Sequence, residues 1–393
     1  MSERVFVAGV GMIPFSTPSK SESYDVMGAK AARAALADAG LDYSKIEQAY
    51  VGYVYGDSTS GQTALYQLGR TGIPVINVNN NCSTGSTALY LARQAVASGA
   101  IECALVLGFE QMQRGALHSM WEDRPNAMQA FLNRSDQLQG PTDAPFAAAL
   151  FGGAGAHYLE KYDAPATLLA DIAVKSRSHA ANNPNAVFRT PLTVEEVMNA
   201  PTIFGPLTRL MCCPPTCGAA AAVLCTEEFA RKHGLDTSVA IAGQAMTTDT
   251  ELSFTSDAMA LVGYGMSQTA AGMAYRQAGV GPEDINVVEL HDCFTANELI
   301  SYESLGLTPE GSAEKFIRDG NNTYGGQVVV NPSGGLMSKG HPLGATGLAQ
   351  CTELVGQLRG TAGPRQVDGA RLALQHNIGL GGAAVVTIYE KVN

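Results

Sequence analysis

The sequence predicts an α/β protein built from two related halves, and three observations support this fold class. Strand-like and helix-like segments alternate at both ends of the 393-residue chain, which is typical of layered, mostly parallel sheets. Short windows of the two ends match each other in the same order, which indicates a duplication. The composition is 46% hydrophobic and 16% charged, so the chain can fill two domain-sized cores.

The first half begins with alternating predicted strands and helices. Runs rich in β-branched residues predict strands, and apolar residues at three- and four-residue spacing predict helices. In order, these are the strand "RVFVAGVG", the helix "YDVMGAKAARAALADAG", the strands "IEQAYVGYVYG" and "IPVINV", the helix after Cys82, and the strand "ECALVLGFE". The apolar run "IPVINV" is typical of a buried strand.

The second half repeats this alternation from "VAIAGQAM" to "AAVVTIYEK". "ADAGLDYSKIEQAYVGY" matches "RQAGVGPEDINVVELHD", and "CSTGSTAL" matches "HPLGATGL" further along. In that register Cys82 lies opposite His341, Gly85 opposite Gly344 and Thr87 opposite Thr346. If the halves pack about a pseudo-two-fold axis, a cysteine and a histidine that are far apart in sequence meet at one pocket.

A polar, Pro- and Gly-punctuated segment at residues 112–210 interrupts the pattern. A segment of this length inside a compact protein is usually a functional cap or loop subdomain. We therefore expect a first half at 1–236 that carries the inserted cap, and a second half at 237–393.

Charge and cysteine content exclude several classes of protein. The net charge is −11, and no basic block resembles a nucleic-acid patch or a membrane anchor. No apolar run has the length of a membrane span, and the N-terminus is predicted to be a strand and not a signal peptide. Eight irregularly spaced cysteines indicate free thiols in a reducing compartment. "MCCPPTC" has no nearby His/Cys pair to complete a zinc site, so no metal is expected.

Cys82 follows a tight turn and precedes a helix in "VNNNCSTGSTALYLARQAVASG". The free N–H groups at a helix start lower the pKa of a neighbouring thiol, which favours a nucleophilic thiolate. A buried structural cysteine beside a turn is the alternative for this stretch alone.

Three histidines are predicted at the carboxyl ends of strands, where open α/β sheets bind ligands. His291 lies in "HDCF" with Asp292 and Cys293, His341 lies in "GHPLGATG", and His376 lies in "QHNIGLGG". Each alone is more often structural than catalytic, but loops related by the duplication favour a shared site. The remaining histidines lack such settings, namely His118, His157, His179 and His233.

With these motifs together, the chain resembles the thiolase superfamily, and within it the sterol-carrier-protein-x type. The specific matches are "NNNCSTGSTAL", "HDCF", "QHNIGLGG" and the long stretch "YGGQVVVNPSGGLMSKGHPLGATGLAQC". The resemblance implies the thiolase fold, with duplicated βαβαβαββ halves in five αβαβα layers and an inserted loop domain. The chain stops at "YEKVN" without the sterol-carrier domain of some relatives, so intrinsic lipid transfer is not expected.

The resemblance also implies a reaction, the thiolytic cleavage of a 3-oxoacyl-CoA or the reverse Claisen condensation. Cys82 is the nucleophile and His341 is its base. Cys293 is the second acid and base, because His376 stands where most thiolases have the Cys-x-Gly cysteine, and His376 positions Cys293. The oxyanion donors are His341, His291 with a water, the Cys82 N–H, and a glycine N–H from Gly379 or Gly381. Asp292 buttresses its loop.

Coenzyme A is then a substrate, and no bound cofactor is expected. Lys175, Arg177 and Arg189 in the cap are candidate phosphate contacts. Two other classes stay open: a decarboxylating ketoacyl synthase, and a non-thiolytic aldolase or scaffold subunit that works with a small OB-fold or sterol-carrier partner. The resemblance implies a homodimer or a dimer of dimers. No C-terminal "SKL" is present, so we expect a cytoplasmic bacterial enzyme and not peroxisomal import.

Overall fold

The computed structural model describes residues 3–113 and 121–392. The strands are β1 Val5–Met12, β2 Gln48–Gly52, β3 Val75–Val78, β4 Cys103–Glu110, β5 Thr202–Phe204, β6 Leu207–Thr208, β7 Gly218–Thr226, β8 Val239–Thr247, β9 Val287–Glu289, β10 Val329–Val330, β11 Leu372–Gly379 and β12 Ala383–Lys391. The helices are α1 Tyr24–Ala39, α2 Ser60–Leu65, α3 Thr84–Ala97, α4 Gln129–Gln139, α5 Phe146–Lys161, α6 Thr167–Ala180, α7 Val194–Met198, α8 Glu227–His233, α9 Ala258–Leu261, α10 Tyr264–Ala278, α11 Thr295–Ser304, α12 Ala313–Arg318, α13 Gly335–Ser338 and α14 Thr346–Arg359.

The sheet order confirms the duplication. The first half has the order β3-β2-β4-β7-β1, and the second has the equivalent order β10-β9-β11-β12-β8. In each half the fourth strand of this order, β7 or β12, runs antiparallel to both neighbours, and the other strands run in one direction. The halves join through one antiparallel bridge between Phe6 and Ala240.

Helices α3 and α14 pack between the two sheets, and this pair brings the halves together. Helix α14 contacts β1 and β7 of the first half as well as β9 and β11 of the second, and it contacts α3. The two helices approach so closely that a Cβ on Gly347 would lie 2.4 Å from the backbone nitrogen of Ser86. Helix α1 covers the outer face of the first sheet, and α10 covers that of the second. The predicted α/β thiolase fold with five layers is therefore confirmed.

Strand β3 differs from its prediction. It lies at the end of the sheet and pairs only with β2 among the described strands, and its side chains are partly exposed and not buried. The apolar composition alone could not distinguish a central strand from an edge strand.

The segment between β4 and β7 contains α4 to α7 and the small β5–β6 pair. Helices α5 and α6 contact α11 of the second half, so the insertion leaves the first half and covers the second. Among the described residues, no helix is both long and apolar enough to cross a membrane.

Candidate active site

The turn before α3 presents Cys82 between the two halves. Asn81 adopts a left-handed backbone with φ of 51°, which asparagine tolerates better than most residues do. The end of β11 packs directly on this turn, because a Cβ on Gly379 would lie 2.1 Å from the Asn80 carbonyl oxygen. The Asn81 amide donates to the Leu380 carbonyl at 3.1 Å. Residues of the second half therefore hold the nucleophile turn of the first.

The structure brings Cys82, His291 and His341 together. One side-chain ligand atom from each lies within 4.8 Å of the others, and all three residues are buried. The two imidazole rings meet edge to face, with centroids 5.1 Å apart and an angle of 84°. The pairing of Cys82 with His341 that the duplication predicted is thus present in the fold.

Hydrogen bonds assign the proton of His341. The Thr346 hydroxyl donates to the Pro342 carbonyl at 3.0 Å, so it accepts from Nδ1–H of His341 at 2.7 Å. Nε2 of His341 is then the basic nitrogen, and it has no hydrogen-bond partner among the described residues. Burial lowers the pKa of His341 to about 3, so the ring is neutral at pH 7 and can accept a proton.

Asn377 assigns the proton of His291. Its carbonyl oxygen accepts from the Ser86 hydroxyl at 3.0 Å, which leaves its amide group to donate to Nδ1 of His291 at 2.7 Å. His291 therefore carries its proton on Nε2 and can act as a hydrogen-bond donor. Burial lowers its pKa well below the usual value, and the neighbouring His341 and His376 add to this effect.

The thiol of Cys82 does not have the lowered pKa that a helix N-terminus suggests. Burial raises its pKa to about 12, and the charge of Glu110 contributes to the rise. The substrate-free pair is therefore a neutral thiol and a neutral imidazole. The thiolate forms when a proton moves to His341 during attack, because burial and the charge of Glu110 both disfavour the thiolate before then.

Two further thiols lie beside Cys82. Cys293 is buried, and Cys213 donates its backbone N–H to the Cys293 carbonyl at 2.9 Å. Burial raises the pKa of both thiols well above the usual value, and each is raised further by its neighbours, including Cys82. No motif in the sequence indicates Cys213 at the site, because the fold of the insertion brings its loop there.

The structure corrects the placement of His376. Neighbouring residues of a strand point to opposite faces, and Nε2 of His376 bonds the Ser267 hydroxyl of α10 at 2.9 Å. The next residue, Asn377, faces His291 and Ser86. Asn377 stands two residues before Gly379, in the place of the cysteine of the Cys-x-Gly loop. Its side chain, and not that of His376, faces the side chains of His291 and Ser86.

Comparison with known proteins agrees with this geometry. Residues 5–228 match the thiolase N-terminal domain, and residues 247–391 match the family "Thiolase C-terminal domain-like". The chain belongs to the thiolase family. Sterol carrier protein 2 of Oryctolagus cuniculus is 53% identical over 98% of this thiolase and 72% of its own length, which agrees with the sterol-carrier-protein-x type.

The names of two other similar proteins state a thiolase and an aldolase activity for those proteins. The benzoylsuccinyl-CoA thiolase subunit BbsB of Thauera aromatica is 36% identical over 97% of this chain and 96% of its own. The solved structure of the Ltp2-ChsH2(DUF35) aldolase has a TM-score of 0.84 and 26% identity, covering 99% of this chain and 98% of the other. Thiolases are generally acyltransferases that use coenzyme A as a substrate and need no metal cofactor. Membership of this family therefore supports acyltransferase activity at this general level.

Buried acidic groups hold the loops of this thiolase that carry its histidines. Asp292 accepts from the Leu336 N–H at 2.7 Å at the start of α13, which is the buttressing role that the sequence suggested. Glu289 forms a buried ion pair with Lys339 at 3.2 Å. Lys339 stands two residues before His341. These contacts fix the backbone of the His341 turn and leave its ring free to face Cys82.

The three candidate coenzyme A contacts have different surroundings. Lys175 is not available as a phosphate ligand, which corrects the prediction, because its buried ammonium forms an ion pair with Glu298 and contacts Tyr302. The guanidinium of Arg177 stacks on Phe188 at 4.6 Å. Arg189 is exposed and donates only to the Ala181 carbonyl, at 3.1 Å, among the described residues, so it remains the candidate whose charge is available.

The proposed oxyanion glycines lie next to the nucleophile turn. Gly379 packs against Asn80 and Ser83, and Gly381 has a left-handed φ of 94° with its Cα beside Met128 of the insertion. Their role as N–H donors stays a prediction. His118, which has no assigned role, lies outside the described residues.

Glu110 at the end of β4 joins the two halves beside the site. Its carboxylate accepts from the backbone N–H groups of Val54, Tyr55 and Gly344, each at 3.0 Å. Burial outweighs these bonds and raises the pKa of Glu110 to about 7. The carboxyl group therefore titrates near neutral pH while it holds the turn that follows His341.

Replacing Glu110 by glutamine should change how stability depends on pH. Because the folded pKa exceeds the ordinary value of 4.5, the contribution of Glu110 is complete below pH 4.5 and is lost as pH rises through 7. The loss is about 3 kcal/mol, or roughly 4 °C in Tm for a chain of this size. Glutamine cannot ionise, so Tm of Glu110→Gln relative to the parent should rise between pH 5 and pH 8.

The measurement is thermal unfolding of both proteins across this pH range. Buried histidines with lowered pKa act in the opposite direction, but they are common to both proteins and cancel in the difference. Parallel Tm curves would contradict the role given to Glu110.

Proposed function

We propose that this protein is a 3-oxoacyl-CoA thiolase. It cleaves the substrate with coenzyme A to acetyl-CoA or propionyl-CoA and a shortened acyl-CoA, or it runs the reverse condensation. The observation that carries the proposal is the Cys82 thiol within 4.8 Å of a ring nitrogen of His341, whose Nε2 has no hydrogen-bond partner in the described part of the chain. A nucleophile beside an oriented neutral base is what acyl transfer through a covalent intermediate requires.

The first step is attack of Cys82 on the 3-oxo carbon. Nε2 of His341 accepts the thiol proton as the Sγ–C bond forms, and Thr346 holds the resulting imidazolium through Nδ1. The tetrahedral oxyanion is stabilised by the Cys82 N–H and an N–H of Gly379 or Gly381. Cleavage of the C2–C3 bond then leaves an acyl group on Cys82 and an enolate.

The second step needs a proton donor and a base. Nε2–H of His291, directly or through a water, and protonated His341 stabilise the enolate oxygen. Cys293 gives its proton to the enolate carbon and becomes a thiolate. Its raised pKa makes that thiolate a strong base, which takes the proton of incoming coenzyme A. The coenzyme A thiolate then attacks the acyl carbon and breaks its bond to Sγ of Cys82, and the released Cys82 thiolate takes back the proton held by His341.

The test is incubation with acetoacetyl-CoA and coenzyme A. A thiolase forms two acetyl-CoA per substrate and, when quenched, carries an acetyl group on the Cys82 peptide by mass spectrometry. Release of neither acetyl-CoA nor propionyl-CoA from any 3-oxoacyl-CoA offered with coenzyme A would contradict the proposal. A decarboxylating ketoacyl synthase would instead consume a malonyl thioester and release CO₂, and it would not need Cys293.

A retro-aldol enzyme is the second candidate function, and the similarity to the Ltp2-ChsH2(DUF35) aldolase favours it. Retro-aldol cleavage transfers no acyl group, so it consumes no coenzyme A and leaves Cys82 unmodified. Cleavage of a 3-hydroxyacyl-CoA without free coenzyme A would support this candidate.

Arg189→Gln should weaken coenzyme A binding with little change in chemistry. An exposed guanidinium that contacts a phosphate contributes about 1 kcal/mol, so KM for coenzyme A should rise roughly fivefold while kcat stays near the parent value. Lys315→Gln, at a surface lysine of α12 paired with Asp319, controls for loss of one positive charge. A fall in kcat at unchanged KM would argue against the contact.

Homodimer formation and a cytoplasmic location are part of this proposal. The partly exposed apolar edge strand β3 supports self-association, because an edge of this kind is open to pairing with another strand. A small OB-fold or sterol-carrier partner is a further proposal. It is supported by the DUF35 partner that the name of the similar aldolase includes and by the subunit status of the benzoylsuccinyl-CoA thiolase relative.

A further inference from the structure

We propose that Cys82, His291 and His341 form a binding site for a zinc-class divalent cation that reversibly switches off the active site. The ligand atoms of the three side chains lie within 4.8 Å of one another. Tetrahedral zinc with one sulfur and two nitrogen ligands places donors about 3.4–3.6 Å apart. The donor separations therefore exceed those of the tetrahedral site by at most about 1.4 Å, a difference that side-chain rotations can close.

The donor chemistry selects the metal. One thiolate and two imidazoles suit Zn²⁺ and its soft analogue Cd²⁺, whereas Mg²⁺ and Ca²⁺ require oxygen ligands. Nε2 of His341 is buried and unpartnered among the described residues, so it needs no broken hydrogen bond to bind a metal. Binding forms an Sγ–Zn bond at Cys82 and releases the thiol proton to solvent.

The surroundings of both imidazoles match those of metal-bound histidines. Ligating histidines donate their second N–H to a neighbouring oxygen, which orients the ring. Nδ1–H of His341 already donates to Thr346. His291 presents Nε2 to a metal once its proton moves to Nδ1, and a turn of the Asn377 amide then places an oxygen 2.7 Å from that nitrogen.

Three protein ligands leave the fourth position of tetrahedral zinc open for water or for the thiol of coenzyme A. A metal in this place occupies the Cys82 lone pair that attacks substrate and the His341 nitrogen that accepts the proton. The inhibition, though not the binding, rests on the proposed function. An acylated Cys82 has lost its thiolate, so the acyl-enzyme should resist the metal.

The test is titration of the chelator-treated full chain with Cd²⁺, followed by the ultraviolet thiolate-to-cadmium band. We expect one Cd²⁺ per chain, displaced by Zn²⁺. Cys82→Ser should abolish the band, and Cys225→Ala, at a buried cysteine of β7, should retain it. His341→Gln should lower the affinity for Cd²⁺ by more than roughly 10–100-fold, which is the cost of losing only a residue that hydrogen-bonds a metal ligand. Far-ultraviolet circular dichroism confirms that each variant is folded.

Asn377 provides a matched pair of variants. Asn377→Asp should tighten Cd²⁺ binding roughly tenfold by placing a carboxylate on Nδ1–H of His291, and Asn377→Ala should weaken it. An unchanged band in Cys82→Ser would place the metal on other thiols and overturn the proposal, as would no band in the parent.

Inhibition is measured separately. Stoichiometric Zn²⁺ should stop thiolysis, and a chelator should restore it. Full activity with the metal bound would overturn the switch while leaving the proposed thiolase intact. If the chain proves inactive as a thiolase, the cadmium titration still decides whether the site binds metal.

Discussion

Cys82→Ser should abolish thiolysis, lowering kcat by about 10⁴-fold or more. A serine hydroxyl is a much weaker acid than a thiol, and the lowered pKa of His341, about 3, makes its ring a weak base for that proton. The variant should bind coenzyme A normally and carry no acyl group after quenching. Cys225→Ala is the matched control, because it removes a buried thiol on β7 outside the cluster, and it should stay within a few-fold of the parent.

Alkylation gives an independent measure of the same assignment. Iodoacetamide should inactivate the enzyme in proportion to labelling of Cys82, and prior incubation with an acyl-CoA should protect it. Cys212 and Cys213 are more exposed than Cys82, so labelling is followed peptide by peptide. Inactivation that tracks Cys212 or Cys213 while Cys82 stays free would refute the assignment.

Cys293→Ser should lower C–C cleavage by about 10²–10⁴-fold, the usual effect of losing a general acid or base. The hydroxyl keeps nearly the same size but is too weak an acid and base for both proton transfers. Acylation of Cys82 by a simple acyl-CoA should remain detectable, because that half-reaction uses His341. Steady-state thiolysis and single-turnover acylation of one variant therefore separate the two roles.

Two matched variants test the alternatives to Cys293. His376→Ala should stay within a few-fold of the parent, since His376 bonds Ser267 on the α10 side of the strand. Cys213→Ser probes the thiol whose backbone contacts Cys293. A large loss in either variant, with Cys293→Ser nearly normal, would reassign the acid and base.

The duplication made the most reliable predictions about the site. Aligning "CSTGSTAL" with "HPLGATGL" placed Cys82 opposite His341, and the two helices that follow these motifs do pack against each other. This worked because repeated strand-turn-helix units fold alike, so equivalent positions meet about one axis.

The wrong predictions concern information that a single motif does not contain. Neighbouring residues of a strand point to opposite faces of the sheet, so an error of one residue selects the wrong side chain. The motif alone favoured His376 at the site, whereas the structure places the side chain of Asn377 there. The pairing of Lys175 with Glu298 depends on the insertion packing over α11, and no spacing in the sequence encodes that contact. The same insertion brings Cys213 to the cluster.

The contact of α3 with strand β11 of the second half also has a consequence for folding kinetics. The contact of Ser86 with Asn377 closes a loop of 291 residues, and contacts this distant form late because chain entropy opposes them until each half is ordered. On dilution from denaturant, helical circular dichroism should return before catalytic turnover does, and the lag should measure docking of two preformed halves. Activity is then a reporter of the last folding event, and a chain arrested before docking would have most of its secondary structure but no enzyme.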